Sequence, residues 1–521
     1  MKRHLILHPF LFAILPSLFL YSHNITFLSL NELLMPLVLS VVASVLLWML
    51  LALLLRDGVR AALLCSLFWV WFFSSGPLYA PVRQIMRLQP GESWLFLFVY
   101  CTVLFAGGAF LLLRKRGLPP LSSALNIMAA ALVAWQLLHI GPYEVKRLVA
   151  RRHAWRAATI SRAGAVSPET LVNIYYIVLD GYAREDILKE VYQYDNSDFI
   201  HYLTAKGFHV ARNGKANYCQ TMLSLASTLN LDYLGNLGLR LNPDSDDRQP
   251  LVGTIEHNRL FDFLRRHDYR IIAFPSGYSG AESHKFNAGI HRPGLPVPNE
   301  FRESLLGLTP IPLIFPAKSR LGVGRSRLTR GILYTFDHLP DATRLRPPVF
   351  VFAHILCPHP PFVFDRNGED RSAGLLTADV SDGNHFSGTK DKYVRGYREQ
   401  LLFVNRKMKA VLDKILEESK WPTVIIIQSD HGPGSMLDWE NPEKTYMKER
   451  LGALIAYRLP GGGEEDAYDE LSAVNIFRIV LNRCFGTRLE LLPNESYYST
   501  WSHPYRFIRV TDQVNVGDEK P

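Results

Sequence analysis

VIIIQSDHGPG, Val424 to Gly434, opens on four branched apolar residues and closes on a polar pair and a glycine. A run this short and this apolar predicts a strand buried on both faces. Four more runs have the same character: NIYYIVL before Asp180, RIIAFP from Arg270, PVFVFAHIL from Pro348 and LGALIAYRL from Leu451. Between them lie stretches of helical periodicity, NSDFIHYLTAKG, NRLFDFLRRHDY and YREQLLFVNRKMKAVLDKILEES. In the last, Leu401, Val404, Met408, Val411, Leu412 and Ile415 share one face. Strands alternating with helices in this way predict an α/β domain around a mostly parallel sheet.

In such sheets ligands bind beyond the carboxyl ends of the strands. Asp180, His354, His359, Asp430 and His431 all fall at or just after such an end. Asp430 and His431 leave their strand from adjacent positions, and both side chains suit zinc or manganese. The stretch NYCQTMLSLASTLN, Asn217 to Asn230, puts Thr221 on the first turn of a helix that buries Met222, Leu225, Ala226 and Leu229. Free backbone N–H groups there favour an anion such as a phosphoryl group. A threonine hydroxyl is a weak nucleophile until a base or a metal activates it. Asp180, Thr221, Asp430 and His431 together would make a four-ligand metal site that does so. His354 and His359, the second on a loop stiffened by Pro358, Pro360 and Pro361, are suited to bind phosphoryl oxygens and to protonate a leaving alcohol. Arg184, Asn217 and Gln220 could also touch phosphate, and each reads equally well as a turn or surface residue.

The first third of the chain is different. Five apolar runs, about 4–22, 32–54, 60–80, 93–113 and 121–140, approach the roughly 20 residues needed to cross a bilayer core. With the N-terminus inside, Lys2, Arg3, Arg56, Arg60, Arg114, Lys115 and Arg116 fall on the cytoplasmic side, and everything after residue 140 falls outside. The expected layout is a transmembrane helical domain over 1–140, a basic juxtamembrane helix and linker over 141–169, a catalytic domain over 170–508 and a polar tail over 509–521. The basic stretch VKRLVARRHAWR reads equally as a solvated helix and as one lying on anionic headgroups. The apolar run LLGLTPIPLIFP from Leu305 is expected to be a packed excursion of the α/β domain, ahead of the alternative of a segment that dips toward lipid. A net charge of +9 without a basic region interleaved with aromatics points to a membrane surface or an anionic envelope substrate, and away from nucleic acid. Of five cysteines, Cys65 and Cys101 lie in spans; Cys219, Cys357 and Cys484 show no disulfide framework or zinc spacing, and Cys219 and Cys357 are expected as unpaired thiols, with a Cys219–Cys357 pair in an oxidising compartment as the alternative.

These residues together resemble the sulfatase-like branch of the alkaline phosphatase superfamily over about 170–500. The five spans look like the membrane portion of lipoteichoic acid synthases and lipid A phosphoethanolamine transferases. The resemblance implies an enzyme in which Thr221 is the nucleophile and Asp180, Thr221, Asp430 and His431 hold one divalent ion, zinc or manganese. His354 or His359 would bind substrate. A phospholipid would donate its head group, phosphoethanolamine or phosphoglycerol, through a phosphothreonine intermediate to an envelope glycan or lipid. The setting implied is a bacterial inner membrane, with the catalytic domain on the periplasmic or extracellular side. Two departures qualify the match. Cys219 lacks the proline and arginine of the sulfatase motif, which disfavours sulfate esters, and Asp180 stands where the transferases carry Glu, which leaves the head group open. Asp365, Asp379, Asp382, His385 and His503 could serve a second metal but form no pattern, so one metal is expected. The alternatives are a membrane-tethered phosphoester hydrolase and a non-catalytic envelope assembly factor.

Overall fold

The structure, a computed structural model, describes residues 5–86, 93–114, 118–151, 172–237, 241–274, 276, 278, 300–314, 327–371, 380–462 and 467–515. The chain divides into two compact units: Met1–His153 with Asn299–Ser326 and Ala373–Ala378, and the remainder.

The first unit holds α1 (His8–His23), α2 (Leu30–Leu55), α3 (Gly58–Met86), α4 (Ser93–Leu113) and α5 (Leu118–Arg151). Helices α2 to α5 are each long and apolar enough to cross a membrane. Helix α1 has 16 residues. At about 1.5 Å per residue it falls short of a roughly 30 Å hydrocarbon core. The five expected spans therefore resolve as four full-length helices and one short helix packed against α2, α3 and α5. Leu46, Leu53, Phe105 and Leu138 point outward, as lipid-facing residues do. Apolar contact alone does little to hold helices together in lipid, so polar contacts count. His8 bridges α3 and α5, with Nδ1 2.5 Å from Ser66 Oγ and Nε2 3.0 Å from Ser122 Oγ. Tyr21 donates to Glu144 at 2.6 Å, and Arg147 pairs with the same carboxylate at 2.7 Å. The basic stretch does not begin a new helix: Val145–Arg151 continues α5. Its remainder and the linker, 152–169, lie outside the described residues, as do 516–521 of the tail.

The second unit begins with β1 (Asn173–Leu179), α6 (Glu185–Glu190), α7 (Ser197–Ala205), β2 (His209–Val210), α8 (Thr221–Asn230), α9 (Gln249–Glu256), α10 (Arg259–Arg265) and β3 (Arg270–Ala273). The chain then returns to the first unit with α11 (Glu300–Gly307) and α12 (Ile311–Ile314). This corrects the expectation for LLGLTPIPLIFP. Its described part is no excursion of the α/β domain, because its apolar residues find partners among the spans. Leu313 is buried with Tyr79 and Phe96, and just ahead of the run Phe301 is buried with Leu18, Tyr21 and Val133. Leu308 O accepts from Gly76 N–H at 3.1 Å and from Ser75 Oγ at 3.2 Å. Only glycine allows this approach: a Cβ on Gly76 would lie 1.9 Å from Gly307 O. Gly76→Ala is expected to loosen the segment at a cost of about 1–3 kcal/mol. Limited proteolysis of the detergent-purified protein should then cut within 300–314 several-fold faster than in wild type, and equal rates would refute this packing role.

The second unit resumes with α13 (Arg327–His338), β4 (Val349–Ile355), α14 (Lys390–Glu418), β5 (Thr423–Gln428), α15 (Met447–Leu451), β6 (Ile455–Arg458) and α16 (Ile476–Phe485). Six strands form one sheet in the order β2-β6-β5-β1-β4-β3. Strands β3, β4, β1 and β5 run parallel; β6 runs antiparallel to β5, and β2 antiparallel to β6. The mostly parallel sheet was legible, but LGALIAYRL holds a shorter strand than expected, since Leu451 ends α15. Every residue of β1, β4 and β5 is buried, which accounts for their unbroken apolar runs. Helix α14 buries the expected stripe. Strand β1 has β4 on one side and β5 on the other, so the chain crosses in opposite directions beside it. Such a reversal opens a crevice at the carboxyl ends.

Candidate active site

Asp180 leaves the end of β1, Asp430 and His431 follow β5, and His354 is the penultimate residue of β4. Three adjacent strands thus deliver four side chains to one crevice. Thr221 comes from the first turn of α8, with its Oγ1 3.0 Å from His431 Nε2. The same nitrogen lies 3.3 Å from Asp430 Oδ2 and 3.7 Å from Asp180 Oδ1. The structure therefore brings together all four of the expected ligands.

The donor chemistry fits a cation. His431 Nδ1 is 2.9 Å from Gly432 O, and a carbonyl can only accept, so Nδ1 carries the proton and Nε2 keeps its lone pair. Asp180 Oδ1 and Asp430 Oδ2, the two carboxylate oxygens nearest that lone pair, are buried without a hydrogen-bond partner. Such orphaned acceptors are costly unless an ion fills the space between them. Asp430 Oδ1 is fixed by Gly181 N–H at 3.3 Å. Burial opposes a charged Asp180, but the field of His359 and the hydrogen bond from His354 hold it well below the usual carboxylate range. Burial, reinforced by Arg450, lowers His431 and keeps it neutral, as a ligand must be. Asp430→Ala is expected to weaken zinc binding by more than about 100-fold, read by calorimetry on protein stripped with chelator; retained affinity would remove Asp430 from the site.

His354 belongs closer to this centre than a substrate-binding role requires. Its Nε2 is 3.2 Å from Asp180 Oδ2, and Asp180, His354 and Asp430 offer ligand atoms within 4.8 Å of one another. His354 orients Asp180 from the side away from His431. His359 is held by its own N–H to Asp180 O at 3.0 Å and by Gln400, which donates to His359 O at 2.9 Å. Its Nε2 is 3.4 Å from Asp382 Oδ2. Burial would lower it, but the Asp180 and Asp382 carboxylates raise it to about 9, so it is a cation at neutral pH.

Other expected contacts lie elsewhere. Arg184 is committed to Asp186, at 2.7 and 2.9 Å, and to Gly214 O. Asn217 is wholly buried and bonded to Tyr233, Glu495 and Val474. Gln220 bonds Ser499, Thr500 and Arg248. These three residues brace the scaffold around α8. Cys219 and Cys357 are buried and unpaired, as expected. Among the second-metal candidates, Asp365 caps its own turn by accepting from Asn367 and Glu369 N–H, His385 is exposed and Asp379 lies outside the described residues. His503 bonds its neighbour Ser502.

Asp382 does reach the site, but with its carboxylate engaged: Tyr393 and Arg450 each donate at 2.6 Å and His359 lies beside it. With it comes a residue that the sequence did not single out. Arg450 is buried, and it donates through Nε to Cys219 O at 2.9 Å, through Nη1 to Asp382 and to Gly432 O at 3.0 Å, and through Nη2 to His431 Nε2 at 3.2 Å. It sits in KERLG, on a five-residue helix with no periodicity to mark it.

The sequence matches no known family profile and no curated protein. Among solved structures it is similar to the C-terminal periplasmic domain of EptC from Escherichia coli in complex with Zn, at 11% identity over 69% of this chain and 99% of that one, with a TM-score of 0.45. It is also similar to the lipooligosaccharide phosphoethanolamine transferase A, EptA, of Neisseria meningitidis, an integral membrane protein. That match has 14% identity over 91% and 94% of the two chains, with a TM-score of 0.40. A third is the periplasmic domain of phosphoethanolamine transferase EptC from Campylobacter jejuni, at 12% identity over 62% and 92%, with a TM-score of 0.38. With such low identities and scores, the functional reading rests on the geometry of this chain.

Proposed function

We propose that this protein is a metal-dependent membrane phosphotransferase that moves a phospholipid head group, phosphoethanolamine or phosphoglycerol, to an envelope glycan or lipid. The observation that carries the proposal is the convergence of Thr221 Oγ1, Asp180 Oδ1 and Asp430 Oδ2 on the lone pair of His431, with both carboxylate oxygens otherwise orphaned. The apolar helices of the same chain favour a lipid donor and a multi-pass place in a bacterial inner membrane; with the short α1 counted as a fifth crossing, the α/β domain falls on the periplasmic or extracellular side.

Asp180, Thr221, Asp430 and His431 would hold the ion, zinc or manganese, which when bound would acidify the threonine hydroxyl and polarise a phosphoryl oxygen. The remaining steps belong to the chain. Thr221 Oγ1, at the N-terminus of α8, yields its proton to solvent and attacks phosphorus where backbone N–H groups favour the anion, and it regains a proton from solvent when the phosphothreonine is resolved. The glycerol oxygen of diacylglycerol leaves, taking a proton from His359, whose cationic form Asp382 sustains. The phosphothreonine is then resolved by the acceptor hydroxyl, which returns its proton to the same imidazole.

The test is to incubate detergent-purified protein with mixed bacterial phospholipids and zinc, following diacylglycerol and the mass of the Thr221 peptide by mass spectrometry. Diacylglycerol release with a phosphorylated head group on Thr221 is expected. No release from any phospholipid, despite bound metal and added acceptors, would overturn the lipid-donor reading.

A further inference from the structure

We infer that Arg450 grips the transferred phosphoryl group and is released to do so by metal binding; this rests on the ligand set and nucleophile proposed above. Arg450 is buried at 1% exposure, and three of its N–H groups are fixed by Cys219 O, Asp382 Oδ2 and Gly432 O. Those bonds lock the guanidinium plane. Asp382 is itself held by Tyr393, whose hydroxyl also accepts from Gly434 N–H at 2.9 Å, and the Trp439 ring lies 5.0 Å from the guanidinium carbon. The remaining nitrogen, Nη2, points to His431 Nε2, the atom on which Thr221 Oγ1 also converges.

An imidazole nitrogen has one in-plane lone pair. With Nδ1 protonated toward Gly432 O, Nε2 either accepts hydrogen bonds or ligates an ion, and it cannot do both. Ligation therefore deprives Arg450 Nη2 of its acceptor. A buried guanidinium N–H left unpaired is costly, and the next acceptor to arrive beside Thr221 is a phosphoryl oxygen. Bond for bond, one acceptor replaces another. The geometry thus orders the two events, metal first and phosphoryl group second, and places a fixed donor on the His431 side of Thr221.

The experiment is calorimetry on the full-length detergent-purified protein, titrating zinc and then inorganic phosphate into wild type and Arg450→Lys. In wild type, phosphate is expected to bind only after zinc. In Arg450→Lys, which keeps the charge but not the planar fork, zinc affinity should stay within about threefold while phosphate affinity on the zinc-loaded protein falls about tenfold or more. Unchanged phosphate affinity would overturn the inference and leave the metal site standing; wild type that binds no zinc would remove both. If Arg450→Lys does not fold, wild type still decides. A structure with zinc and phosphate supports the inference if Nη2 has left His431 for a phosphate oxygen, and overturns it if Nη2 keeps a protein acceptor.

Discussion

Thr221→Ala is expected to lower diacylglycerol release by a factor on the order of 10⁴ or more, with the protein still folded and still binding metal. The hydroxyl makes one hydrogen bond, to His431 at 3.0 Å, and the side chain is 7% exposed. Alanine keeps the helical backbone of α8 and the apolar face of Met222, Leu225 and Leu229, so stability should change by less than about 1 kcal/mol. Zinc affinity should fall by about tenfold, since a neutral hydroxyl is the weakest of the four donors and both carboxylates and the imidazole remain. The split between the two readouts is what distinguishes a nucleophile from a structural residue. Release from Thr221→Ala at a substantial fraction of the wild-type rate would mean that another group attacks. Loss of folding and metal together would mean that Thr221 is mainly a brace.

The parts of this fold legible in the sequence were those governed by one local rule. Strands buried on both faces must be apolar throughout, and β1, β4 and β5 are. A stripe on α14 must repeat at helical spacing, and it does. The ligands were readable because Asp180, Asp430 and His431 sit directly after such strands and Thr221 directly begins such a helix. What stayed hidden depended on contacts distant in sequence. Arg184 and Asn217 are polar residues near the right motifs, but the carbonyls of Gly214 and Glu495 claim them. Arg450 enters the site from a helix too short to show a period, and its partner Asp382 from a loop 68 residues away. The apolar run after Leu305 announced burial without saying against what. Its partners, Tyr79 and Phe96, lie more than two hundred residues earlier.

Gly432→Ala should be the most damaging small substitution in the α/β domain, although Gly432 is not a ligand. A Cβ there would lie 1.9 Å from Glu449 O and 3.0 Å from Gly452 O. Both are backbone atoms at α15 and its exit, and that backbone is pinned. Gly452 O accepts from Arg184 N–H at 3.2 Å, Leu451 O accepts from Ala216 N–H at 2.8 Å, and Gly432 N–H itself donates to Arg450 O at 2.7 Å. Since α15 cannot withdraw, the turn after β5 must, carrying His431 and the carbonyl that fixes its tautomer. The expected cost is about 3 kcal/mol or more, at or above the upper end for overpacking. Zinc affinity should drop on the order of 100-fold with every ligand intact, as happens when the support of a ligand is moved. Gly235→Ala is the control: a Cβ there meets nothing within 4 Å, and both thermal midpoint and zinc affinity should match wild type. If Gly432→Ala also matched wild type, the close approach of α15 to the ligand turn would not be what holds His431 in place.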